Sequence, residues 1–152
     1  MIQRKQTLFL LLALILTIVC LCLPLGNFIS GDTIGEKSTM YNLWISRPDG
    51  SHDFSVWALF AIQLITCPIS LIAIFTYRNR IAQGRYCIFN ILLCLGWYAV
   101  FAVMLFTIKD MSHDFTPSLT TVFPAISIIL YLMARKAILA DEALVRSADR
   151  IR

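Results

Sequence analysis

Charge is what this sequence has least of. Only 14% of its 152 residues are Asp, Glu, Lys or Arg, 59% are hydrophobic, and mean hydropathy is +0.76. Soluble domains carry about 25% charged and roughly 45–50% apolar residues. The balance excludes an ordinary soluble enzyme and, equally, a disordered chain. No Asp, Glu, Lys or Arg falls within residues 6–31, 54–77, 86–108 or 115–134. These stretches therefore lack the ionisable group that marks an ion or proton path through a membrane, which argues against a proton-coupled transporter of the usual kind. No Gly-rich phosphate loop, no G-x-S-x-G and no zinc-protease pattern is present. The five cysteines are odd in number and sit in or beside apolar runs, so they form no disulfide framework.

The charge-free stretches are 26, 24, 23 and 20 residues long. A bilayer core of about 30 Å needs about 20 apolar residues of helix. The pattern predicts four transmembrane helices, near 7–25, 55–77, 87–108 and 116–133. An outer loop is expected at 26–54 and a cytoplasmic tail at 134–152. The fold class expected is all-α: one membrane domain, a four-helix up-down-up-down bundle with a cytoplasmic amphipathic C-terminal helix. Ten of the 13 basic residues fall on one side of this layout, for a net +7 against −3 on the other. By the positive-inside rule both termini are cytoplasmic. Topology alone explains the overall charge of +4, so no nucleic-acid partner is expected. The first run is longer than a signal-peptide core and is followed by no A-x-A site, so an uncleaved span is expected.

In the outer loop, Arg47-Pro48-Asp49-Gly50 fits a type I turn. Tyr41-Asn42-Leu43-Trp44-Ile45 reads as a short strand or a segment on the outer membrane surface, with Trp44, Phe54 and Trp57 as an aromatic belt. Within the spans, small and polar residues recur at helical spacing: Gln63, Thr66, Ser70, Ala73 and Tyr77; Cys87, Asn90, Cys94 and Trp97; Thr120, Pro124, Ser127 and Tyr131. Steps of three and four put each set on one face. Such seams usually pack helices together. A mid-span Trp97 and Tyr98 beside Gly96, with Gln63 and Asn90, offer the alternative of an apolar-ligand wall. Pro68 and Pro124 are expected to kink the second and fourth helices.

Ser51-His52-Asp53-Phe54 recurs as Ser112-His113-Asp114-Phe115, each before an expected helix. Ser and Asp there fit helix caps. The alternative is an outer metal site of His52, Asp53, His113 and Asp114. Cys20 and Cys22, two apart on a helix, point in different directions and would pair only if the helix unwinds before Pro24. The tail has Ile138, Leu144, Val145, Ala148 and Ile151 near one face and a Glu142–Arg146 pair at i,i+4. Arg135, Lys136, Arg146, Asp149, Arg150 and Arg152 are its candidate contacts to lipid headgroups or a partner.

The opening Met1-Ile2-Gln3-Arg4-Lys5-Gln6-Thr7 before a Leu-rich span is one family mark. The other is the close: Ala137-Ile138, Asp141-Glu142, then Leu144-Val145-Arg146-Ser147-Ala148-Asp149-Arg150-Ile151-Arg152. Together they resemble the small four-span membrane proteins of Bacteroidetes-type bacteria grouped as domain of unknown function 4293. Lys5 departs from the apolar residue associated with that position. The resemblance implies a bacterial inner-membrane location and carries over no reaction and no catalytic residue. The leading expectation is a non-enzymatic scaffold or accessory subunit in the lipid bilayer, without a cofactor. Its tail would meet a cytoplasmic or membrane protein partner, and a homo-oligomer is compatible with this. The alternatives are an intramembrane binder of a lipid or quinone-like molecule and an outer-face metal-binding protein.

Overall fold

A computed structural model describes residues 3–30, 37–109 and 113–149. Its four long helices are α1 (Gln3–Cys22), α2 (Trp57–Phe75), α3 (Arg80–Lys109) and α4 (Phe123–Asp149). Each is long and apolar enough to cross a membrane. α1 packs against α2 and α4, and α3 packs against the same two. The outward faces carry Leu, Ile, Val and Phe, as at Leu11, Ile15, Leu64, Leu92 and Ile129. Gln63, Thr66, Ser70, Asn90 and Ser127 are buried between the helices. This inversion of a soluble protein's pattern suits a surrounding as apolar as Leu itself.

The helix ends follow local chemistry. α1 stops two residues before Pro24, whose ring disfavours a helical residue ahead of it. Asn79 opens α3, its Oδ1 accepting the Ala82 N–H at 3.2 Å. α3 therefore begins seven residues before the expected span. Pro68 lies inside α2, but Pro124 is the second residue of α4, where a missing N–H costs no helical bond. The kink expected at Pro124 is thus replaced by a helix start. α4 runs unbroken to Asp149, because residues 125–149 contain neither Gly nor Pro. The expected separate tail helix is the end of α4.

The all-α expectation needs correction. The structure also has a five-stranded antiparallel sheet: β1 (Gly26–Ser30), β2 (Lys37–Met40), β3 (Ile45–Ser46), β4 (His52–Asp53) and β5 (His113–Pro117), in the order β4-β3-β2-β1-β5. β5 comes from the α3–α4 connection and pairs with β1, Gly26 facing Pro117 and Phe28 facing Phe115. The outer loop expected at 26–54 therefore contributes four of the five strands. The fourth helix begins at 123 because residues 113–117 extend along β1 and a 3-10 turn, Leu119–Val122, follows. The β3–β4 hairpin turns at Arg47–Gly50 as expected: the Gly50 N–H bonds the Arg47 carbonyl at 3.1 Å. Gly50 has φ of 81°, a left-handed conformation that favours glycine.

Beneath the sheet lies one apolar cluster: Leu25, Phe28, Met40 and Ile45 against Val56, Leu59, Trp97 and Phe101. The Trp97 and Phe101 rings stack at 5.1 Å. A second cluster, around Leu10, Ala73, Cys87, Tyr131 and Ile138, fills the opposite half.

Gly26 is where the two connections come closest. A Cβ there would meet the Phe115 ring and stand 2.6 Å from the Thr116 carbonyl oxygen. A backbone oxygen cannot step aside without breaking the β1–β5 register. Gly26→Ala should therefore destabilise the protein by about 2 kcal/mol, in the range of overpacking costs. Thermal unfolding in detergent checks this; an unchanged midpoint would show that the register yields.

Candidate functional site

The polar side chains buried among the helices mostly serve backbone groups at helix ends and neighbouring hydroxyls. Asn42 is the clearest case. It is wholly buried, yet lies in the connection between β2 and β3. Its Nδ2 donates to the Cys20 carbonyl at 2.6 Å, in the last turn of α1. Its Oδ1 accepts the Trp97 indole N–H of α3 at 3.0 Å. Its own carbonyl accepts the Phe60 N–H in the first turn of α2 at 3.2 Å. One loop residue thus satisfies orphan groups at two helix ends and the indole of a third helix. Sequence reasoning missed it; the signal was a lone amide inside an apolar, aromatic pentapeptide.

Tyr98 does the same for α4. Its hydroxyl donates to the Thr121 carbonyl at 2.7 Å and accepts the Ala125 N–H at 3.0 Å. Gln83 of α3 donates to the Ala73 carbonyl in the last turn of α2 at 2.9 Å. Midway along the helices, Ser70 of α2 gathers a network. Its hydroxyl proton goes to the Thr66 carbonyl at 2.8 Å. It therefore accepts from Asn90 of α3 at 3.1 Å and from the Tyr131 phenol of α4 at 2.6 Å.

Of the four residues expected to wall an intramembrane ligand, Trp97 and Tyr98 have spent their polar groups on the chain itself. Gln63 and Asn90 are buried, and among the described residues they are not bonded to each other and Gln63 Oε1 and Asn90 Oδ1 have no partner. Cys20 is buried with its thiol toward the Thr120 carbonyl, and Cys22 is exposed; both are free.

The histidine repeat is strand, not cap. The position before α2 is Val56, with no side-chain cap bond. His52 and His113 lie in β4 and β5, the two outer strands, with three strands between them. One chain therefore does not set these two backbone positions side by side. Among the described residues, no group of three or more His, Cys, Asp or Glu side chains could hold a metal ion; the side chains of His113 and Asp114 lie outside that description. Asp53 has other work: the Ser55 N–H and the Arg47 guanidinium, at 3.0 and 2.8 Å, hold its carboxyl below the usual carboxylate range. The Ser51 hydroxyl and N–H do the same for Asp49. The His52 ring packs against Trp44 at a tilt of 57°, ring centres 5.6 Å apart.

At the opposite end, α4 is held by its neighbours. Gln6 of α1 donates to the Ala137 carbonyl at 3.0 Å. Arg80, the first residue of α3, donates to the Asp141 carbonyl at 2.9 Å and lies 3.0 Å from its carboxylate. Beyond this clamp Leu144 and Val145 are exposed, and Arg146 reaches back to Glu142 at 2.7 Å. Between residues 78–81 and this part of α4 lies a cleft of about 560 Å³. Arg135 is half-buried and Lys136 exposed. Of the other expected tail contacts, Arg150 and Arg152 lie outside the described residues, and only the backbone of Asp149 is described.

An α-helical protein with four helices apolar enough to cross a membrane, capped at one end by a small sheet, is the class these observations define. Within it, the chain belongs to the family described as domain of unknown function DUF4293, whose model matches residues 2–151. No curated protein matches it.

Two predictions follow from these contacts. Asn42→Ala strands the Trp97 N–H and the Cys20 carbonyl, at about 1–3 kcal/mol for a buried group left unpaired. Combined with Trp97→Phe in a double-mutant cycle, the cost should be clearly less than additive; strict additivity of the two unfolding energies would refute the contact. The carboxylate contacts of the β3–β4 hairpin are present above the unfolded pKa and are lost as pH falls through the lower folded value. The difference in unfolding free energy between the wild type and Asp53→Asn should thus hold from pH 8 to 5 and shrink only below about 4. A transition near neutrality would point elsewhere.

Proposed function

We propose that the chain is a multi-pass inner-membrane protein, an up-down-up-down four-helix bundle with both termini cytoplasmic. In this reading it is an accessory subunit or scaffold that presents the basic end of α4 to a cytoplasmic protein partner. Its orientation follows from the basic bias of residues 78–85 and 134–152. The observation that carries the partner role is the clamped end of α4. Gln6 and Arg80 hold the helix as far as Asp141. The next turn then shows solvent an apolar pair, Leu144 and Val145, 57% and 45% exposed, beside Arg146. A rigid helix displaying apolar and basic residues beyond its apolar run has the make-up of a helix-docking surface.

Truncation after Ala143 removes this surface and leaves the clamp in place. Membrane insertion and detergent unfolding should be unchanged, and a protein that co-purifies with the full chain should be lost. Retention of that protein by the truncated chain would overturn the reading.

A further inference from the structure

The cleft beside the clamp has a chemistry of its own. One wall is Arg78 of the short turn after α2 with Arg80 and Ile81 of the first turn of α3; the other is α4, with Glu142, Val145 and Arg146. Arg80 is balanced by Asp141 and Arg146 by Glu142. Arg78 is exposed and, among the described residues, has no ion pair. Three guanidinium groups thus border the opening with one carboxylate, Glu142, while Asp141 is taken by Arg80. Guanidinium forks match phosphate oxygens two at a time.

The position of the cleft indicates where the phosphate comes from. The apolar run of α2 ends at Phe75, 74% exposed, and Tyr77, 51% exposed, and Arg78 follows at once. An exposed aromatic pair followed by arginine is the order expected from acyl chains to headgroups. Ile81, also about half exposed, continues the apolar surface into the cleft. An opening of about 560 Å³ accommodates a phosphodiester headgroup with its glycerol against Ile81 and Val145.

The geometry points to a binding site for an anionic glycerophospholipid, its phosphate held by Arg78 with Arg80 and Arg146. The inference rests on the membrane placement proposed above, and not on the partner role of the tail. A bound lipid would bridge the α2–α3 turn to α4 and reinforce the clamp from outside.

The test uses the full chain in nanodiscs of mixed phosphatidylglycerol and phosphatidylcholine, with retained lipids read by native mass spectrometry. The wild type should retain phosphatidylglycerol preferentially. Arg78→Gln should cut that preference at least about tenfold, since it removes a charge-assisted bond to the phosphate as well as surface charge. Arg85→Gln, on the exposed surface outside the cleft, should cut it no more than about fivefold, since it removes only diffuse charge. Equal retention of both lipids by the wild type would overturn the site. So would an unchanged preference in Arg78→Gln, or equal losses in the two variants. Full displacement by inorganic phosphate would assign the cleft to a free anion and overturn the lipid source. Arg78 lies outside the tail, so partner capture by Arg78→Gln remains a separate reading.

Discussion

Backbone groups buried at the ends of these helices are out of reach of solvent and must find partners inside the chain. Much of the architecture answers this constraint. Asn42 reaches from the sheet to Cys20 and Trp97, Tyr98 holds the first turn of α4, Gln83 closes the last turn of α2, and Arg80 takes the Asp141 carbonyl. The same amides and phenols join neighbouring elements, so satisfying the backbone and assembling the helices are one process. Ser70 shows this at mid-depth, where one hydroxyl receives bonds from both α3 and α4.

The helices were legible because their signal is local and long. Charge-free runs locate α1 to α4, and the small-polar periodicity picks out Gln63, Ser70, Asn90, Trp97, Ser127 and Tyr131, all of which are buried. Tyr77 shares that spacing but lies past the end of α2 and is exposed. The sheet was hidden for the opposite reason. Its strands are two to five residues long, and β5 finds its partner far away in the chain, so neither periodicity nor propensity announces it. The Ser-His-Asp-Phe repeat was visible, but its reading as helix caps was not met: in both copies the His-Asp pair lies in a strand, and a turn separates that strand from the helix.

The two ends of the molecule differ in kind. At the sheet end, carboxylates are engaged by near neighbours in a tight hairpin, and aromatic rings pack on one another. At the other end the charges are longer side chains on two helices and a turn, and the cleft they border is open. The first end looks built for closure and the second for contact. The proposed partner and lipid sites both draw on that open, basic end, one through the tip of α4 and the other through the turn before α3.

The β1–β5 pairing also bears on the order of assembly. Strand β1 is complete on one side once β2 follows it, but its other edge stays bare until residues 113–117 have been made and brought beside it. Pairings this distant in sequence are slow to form, because a long loop must close before any bond rewards it. The sheet therefore acts as a latch that shuts only when both helical hairpins are in place. A chain with its second hairpin out of place would keep an open strand edge, a visible mark of incomplete assembly.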